Sequence, residues 1–114
     1  MFYPSDVFRW KEVYSVTSSA TPSIHVEKYA CVNITALAVN ITGFTITGVP
    51  TDFQQLIVRI KDNGTTRNIT WWSSFTSMWA TLPTATTASK VTTVGFLYDF
   101  ALGKWGCVSV SQEV

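Results

Sequence analysis

Apolar and polar residues alternate with a period of two through much of this chain. The clearest case is Leu56-Ile57-Val58-Arg59-Ile60-Lys61, followed by Asp62-Asn63-Gly64-Thr65 and then Thr66-Arg67-Asn68-Ile69-Thr70-Trp71. Asn-Gly between two β-rich runs is the preferred type I′ hairpin turn, because both central residues need positive φ. With Asn63-Gly64 as the loop, Val58 faces Ile69 and Leu56 faces Trp71 on one side of the ladder. Arg59 then opposes Asn68, and Lys61 opposes Thr66, on the other. This is the division into a core face and a wet face that a half-buried antiparallel sheet requires.

A second pair follows near the C-terminus. Val91 to Tyr98 is a β run, Asp99 to Gly103 is turn-like, and Lys104 to Val110 alternates, which predicts Trp105, Cys107 and Ser109 on one side and Val108 and Val110 on the other. Upstream, Ala30 to Ala38 and Asn40 to Thr47 are two more runs, punctuated by Gly43 and Gly48, and Trp10 to Val16 reads as a strand that Ser18 to Ser23 terminates. Thr81–Ser89 is a long polar loop, and no window of a dozen residues holds apolar positions at helical spacing. Short strands separated by turn signals predict an all-β single domain, an antiparallel β-sandwich or jelly roll, over residues 15–114. Residues 1–14 form an N-terminal arm crowded with aromatics: Phe2, Tyr3, Phe8, Trp10 and Tyr14. Either these close the bottom of the sandwich or the arm docks on a neighbour.

Composition strengthens the β reading. Seventeen threonines and thirteen valines are stiff at the first side-chain torsion and favour a pleated surface over a helix. Charged residues make up only 13% of the 114, against roughly 25% in an average globular protein. A surface wet by hydroxyls and amides is compatible with burial against a partner, which hints at an assembly component. The eight Lys and Arg run from Arg9 to Lys104 without clustering and the net charge is +1, so the electrostatic footprint of a nucleic-acid binder is missing. No stretch is apolar enough to insert in a membrane, and the first residues lack the basic and apolar regions of a secretory signal, which predicts a cytosolic product unless a larger particle carries it out. The Asn-x-Thr sequons at Asn33, Asn40, Asn63 and Asn68 are then chance products of Thr-rich strands, and Cys31 and Cys107 read as free thiols rather than a disulfide.

Candidate chemistry is thin. His25 is the single histidine, no serine sits in a nucleophile-elbow motif, and Asp52, Asp62 and Asp99 occupy turn positions where aspartate serves its own backbone. Neither metal-ligand spacing nor a phosphate-cradling glycine loop occurs, so no catalytic residue, cofactor or metal is expected and the chain reads as a binding or structural protein. Trp71, Trp72, Phe75 and Trp79 lie within nine residues. Adjacent residues of an extended chain point to opposite faces, which makes Trp71 core and Trp72 a candidate contact for a sugar ring or an interface.

The stretch Leu56 to Trp71 also resembles a motif of bacteriophage structural proteins. In those, a strand reading I-R-I-K-D-N-G-T-A-R is followed by I-T-W, a leucine-proline-threonine loop, a V-G-F-x-Y strand and a K-W-x-C-V ending that closes on Q-E. Here the counterparts are Leu82-Pro83-Thr84, Val94-Gly95-Phe96-Leu97-Tyr98, Lys104-Trp105-Gly106-Cys107-Val108 and Gln112-Glu113. The similarity covers roughly residues 15–114, with Ser18 to Ile24 and Ile34 to Ala38 also matching. Two features depart from it: Trp72 stands where relatives usually carry glycine, and the first fourteen residues match nothing in the motif.

The resemblance implies a non-enzymatic, homotrimeric β-sandwich on the virion surface, assembled in the host cytoplasm, often as the tip of a tail fibre. With no shaft preceding it, the chain is expected to act as a capsid decoration, or cement, protein bound to the major capsid protein or another virion protein. Its partner-binding residues are then Phe2, Tyr3, Phe8 and Trp10 of the arm, with Trp72. The alternatives are a tail-fibre or tail-tip receptor-binding protein and a carbohydrate-binding module that takes a host-surface glycan.

Overall fold

A computed structural model describes residues 11–114, and among them every regular element is a strand. These are β1 (Glu12–Val16), β2 (Ser23–His25), β3 (Tyr29–Leu37), β4 (Thr45–Thr47), β5 (Gln55–Asp62), β6 (Phe75–Ser77), β7 (Val91–Asp99) and β8 (Lys104–Gln112). Six of them form one sheet in the order β1-β3-β5-β7-β8-β6, and β2 pairs with β4 in a second, smaller sheet. Edge strand β1 falls within the Trp10–Val16 run that alternation predicts, and Tyr14 on it packs against the core.

The all-antiparallel expectation is corrected. β1 with β3, β3 with β5, β6 with β8, and β2 with β4 are parallel; only β5 with β7 and β7 with β8 are antiparallel. The cause is the path of the chain. Between successive visits to the large sheet it passes through β2 or β4 in the small one, and a chain that crosses away and returns re-enters running in its original direction. The two antiparallel pairs arise differently: the Asp99–Gly103 turn reverses the chain directly between β7 and β8, as the sequence predicts, whereas β7 returns against β5 only after the segment that holds β6.

The predicted hairpin across Asn63-Gly64 does not form. β5 keeps its alternation, with Leu56, Val58, Ile60 and Asp62 buried and Gln55, Ile57, Arg59 and Lys61 exposed, but Val58 pairs with Val32 and Val94 rather than with Ile69. After the turn the chain leaves the sheet. Ile69 bridges to Ile41, Asn68 to Ala85, and Trp71 stacks on Phe44 with ring centroids 4.9 Å apart. A cross-strand pair is worth about 0.2–1 kcal/mol, whereas full burial of a large apolar side chain is worth about 1.5–3 kcal/mol, so the chain follows the burial of Ile69 and Trp71.

The turn itself is held by a side chain. Asp62 is buried, and its carboxylate accepts hydrogen bonds from the Gly64 amide (3.0 Å), the Ser89 amide (2.8 Å) and the Thr86 hydroxyl (2.6 Å). Gly64 has φ +104°, the left-handed conformation that glycine adopts at no steric cost. Burial alone would push the Asp62 carboxyl up, but these three donors and the nearby Arg67 outweigh it and hold the group below the usual carboxylate range.

The core draws on both sheets: Ile24 from β2, Val32, Ile34 and Leu37 from β3, Leu56, Val58 and Ile60 from β5, and Val94, Phe96, Trp105 and Cys107 from the β7–β8 hairpin. One register shift matters for the opposite face. Gly95 pairs with Ser109 but Phe96 pairs with Cys107, leaving Val108 as the extra residue of a bulge. Strict alternation predicts Ser109 beside Trp105 and Cys107. The bulge instead turns it outward over Gly95, where a Cβ would lie 2.6 Å from the Ser109 hydroxyl oxygen.

Candidate interaction surfaces

Among the described residues, three surfaces combine exposure with apolar or aromatic character. The first is the outer face of the large sheet. Register aligns Val13, Cys31, Ile57, Gly95 and Ser109 in one row across five strands, and Ser15, Asn33, Arg59, Thr93 and Ser111 in the next. Arg59 is the sole charge in these ten positions, and its Nε donates to Asn33 Oδ1 at 3.0 Å along the face. Val13 and Ile57 are 56% and 41% exposed, and a shallow dent of about 240 Å³ lies over Gly95 between Ile57, Leu97 and Val108.

The second surface surrounds Trp72. Its neighbour Trp71 lies in the aromatic core, edge-on to Phe75 and Phe96, and its indole N–H donates to the Pro83 carbonyl at 2.7 Å. Trp72 points away and is 51% exposed, as the opposite-face argument requires. It borders a groove of about 250 Å³ with Phe44, Gly43, Thr21, Thr42 and Thr45. The other expected contact residues, Phe2, Tyr3, Phe8 and Trp10, lie outside the described residues.

The third surface is a cleft of about 270 Å³ at the β7–β8 turn, lined by Asp52, Phe53, Trp79, Leu97, Tyr98 and Asp99 among others. Trp79 and Phe53 are each 74% exposed, and Phe100 and Leu102 stand exposed on the adjoining turn. Phe53 adopts φ +62°, a left-handed conformation uncommon for a bulky residue. It is held there because its amide donates to the Tyr98 carbonyl while the Tyr98 amide donates to the Gln54 carbonyl, both at 2.9 Å. Each aspartate is anchored through one oxygen: Asp52 Oδ1 accepts from the Phe100 amide (3.0 Å), and Asp99 Oδ1 from the amides of Ala101 (2.8 Å) and Leu102 (3.2 Å). Sequence reasoning assigned these aspartates to turns: Asp52 lies in one, Asp99 ends β7 and caps the turn that follows it, and the cleft between them was missed. Its one legible signal is the pair of large apolar residues, Phe100 and Leu102, in a turn where polar residues are usual.

Of the imidazole and thiol groups among the described residues, Cys31 belongs to the first of these surfaces, while His25 and Cys107 lie apart from all three. His25 sits exposed on β2, its Nδ1 3.0 Å from the hydroxyl of its register partner Thr47. Cys31 and Cys107 are free thiols; Cys31 lies on the outer face and Cys107 in the core, so the sheet separates them. Burial pushes both thiols up, opposed at Cys31 by Arg59 and at Cys107 by a hydrogen bond to the Ser109 backbone. Among the described residues no group of three or more His, Cys, Asp or Glu side chains is placed to hold a metal ion, and no helix is long and apolar enough to cross a membrane. No protein-family model, curated protein or solved structure matches the chain.

Proposed function

We propose that the chain is a non-enzymatic structural protein of a bacteriophage particle, a capsid decoration protein that assembles as a homotrimer on the virion surface and docks on the major capsid protein or another virion protein. The observation that carries this reading is the outer sheet face, where five strands present ten aligned positions with a single charge. Soluble monomers usually keep a charged, mixed-sign surface, and a flat face this poor in charge loses little on being covered. The two layers serve in this proposal as a sandwich-like body that presents the face. The motifs from Leu56 to Trp71 and from Val94 to Val108 add the virion setting by resemblance.

Imaging of intact particles tests the reading. Copies at capsid symmetry positions are the expected result, and copies confined to the tail overturn it. In solution, light scattering of the purified chain is expected to give a trimer, and Ile57→Arg, placed on the outer face, to weaken association without unfolding the chain. A monomer at micromolar concentration contradicts the trimer.

The exposed Trp72 ring, bordered by the hydroxyls of Thr21, Thr42 and Thr45, favours a second reading, a tail-tip or carbohydrate-binding module that stacks a host-surface glycan. A glycan screen in which the wild type binds and Trp72→Ala does not would establish it. No binding across the screen removes it.

A further inference from the structure

We infer that the cleft at the β7–β8 turn is a receptor for an arginine side chain presented by a partner protein. The inference goes beyond the virion reading and does not depend on it, because the cleft is tested on the isolated protein rather than on a particle.

Size comes first. At about 270 Å³ the cleft is below the roughly 300–1,000 Å³ typical of small-molecule sites, so it suits one side chain rather than an extended ligand. Charge decides which one. Two carboxylates, Asp52 and Asp99, line the cleft, and none of its lining residues is basic. Backbone amides hold Oδ1 of both, which fixes their positions, while no hydrogen bond engages Oδ2 of either among the described residues. Two positioned acceptors with free oxygens call for a donor that carries positive charge.

The walls narrow the choice further. Trp79 and Phe53 expose their rings to solvent, and Tyr98, backed by Trp105 at a centroid distance of 5.1 Å, forms the inner wall. The negative face of an aromatic ring attracts a cation, and a planar guanidinium can lie flat on a ring while its N–H groups reach a carboxylate edge-on. A lysine ammonium is a strongly hydrated point charge and exploits the flat walls less well. The backbone of Phe53 fits the same role, since its left-handed φ holds a large apolar ring 74% exposed at the mouth of the cleft. Arginine, tryptophan and tyrosine are the residue types enriched at the energetic centres of protein interfaces.

The experiment is an amide and indole NMR titration of the full chain with N-acetyl-arginine methylamide, run against three comparators: its neutral isostere N-acetyl-citrulline methylamide, the lysine analogue, and methyl β-galactopyranoside. The arginine probe is expected to shift the Trp79 indole N–H and the amides of residues 99–103, with an affinity about fivefold tighter than that of citrulline. Asp52→Asn is expected to erase most of that difference and Trp79→Ala to abolish the response. Both residues are exposed, so both variants keep the fold. Equal responses to arginine and citrulline, a stronger response to the galactoside or to the lysine analogue, or no response overturns the inference.

Discussion

Asp62 is the residue whose replacement most directly tests the account of the fold. In Asp62→Ala the Thr86 hydroxyl, which is buried, loses its acceptor, and the amides of Gly64 and Ser89 lose theirs at sites that water can reach. An orphaned buried donor costs about 1–3 kcal/mol, and each re-solvated amide forfeits a net bond worth about 0.5–1.5 kcal/mol. Relief of the buried charge returns part of this, leaving an expected loss of about 3 kcal/mol. For a domain of this size that is a drop of about 12 °C in Tm. Urea or thermal unfolding monitored by tryptophan fluorescence measures it.

The pH dependence supplies the second arm of the same test. The folded-state pKa of Asp62 is lowered, so its contribution to stability is fully present above the ordinary carboxylate pKa of about 3.9 and is lost as pH falls through the folded value. The stability difference between the wild type and Asp62→Asn should therefore be constant from neutral pH down to about 4 and shrink below it. A loss under 1 kcal/mol in Asp62→Ala at pH 7, or a difference that stays flat into strong acid, would refute the claim that this carboxylate organises the turn.

Further predictions address the tryptophans, the strained turn and the thiols. Trp71→Ala removes a stacked, hydrogen-bonded core ring and should cost about 3 kcal/mol, whereas Trp72→Ala should change stability by less than about 0.5 kcal/mol; equal losses by denaturant titration would contradict the opposite-face assignment. Phe53→Gly relieves a left-handed φ at an exposed site and should stabilise the chain by about 1 kcal/mol, read as a rise in Tm; a fall would mean that the ring packs more than its exposure indicates. In native protein a thiol reagent should modify Cys31 alone, slowly at pH 7 and faster above the ordinary thiol pKa because burial raises it, while Cys107 should react only on unfolding. Native modification of both thiols would overturn the placement of Cys107 in the core.

Much was legible in the residues themselves. The alternation from Leu56 to Lys61, the β run from Val91 to Tyr98, the turn that follows it and the division between Trp71 and Trp72 all appear in the structure as local pattern predicts. Those features depend on which side of an extended chain a residue points to, and period-two spacing encodes that directly. Asn63-Gly64 also marks a turn, but not the strand that follows it in the sheet.

The tertiary structure alone decided the pairing. An inward-facing Ile69 or Trp71 is equally well patterned for a hairpin with β5 or for the aromatic cluster around Phe44, and the choice rests on total burial, to which residues distant in sequence contribute. The same holds for the parallel arrangement of β1, β3 and β5, which follows from two excursions through β2 and β4 that no local signal announces. The bulge at Val108 and the cleft between Asp52 and Asp99 also arise from register and from contacts between segments far apart in the chain. Sequence by itself determined which face of each extended run is buried up to the bulge at Val108, beyond which Ser109 turns outward; only the folded chain determined which strands lie side by side, and so which exposed residues share a surface.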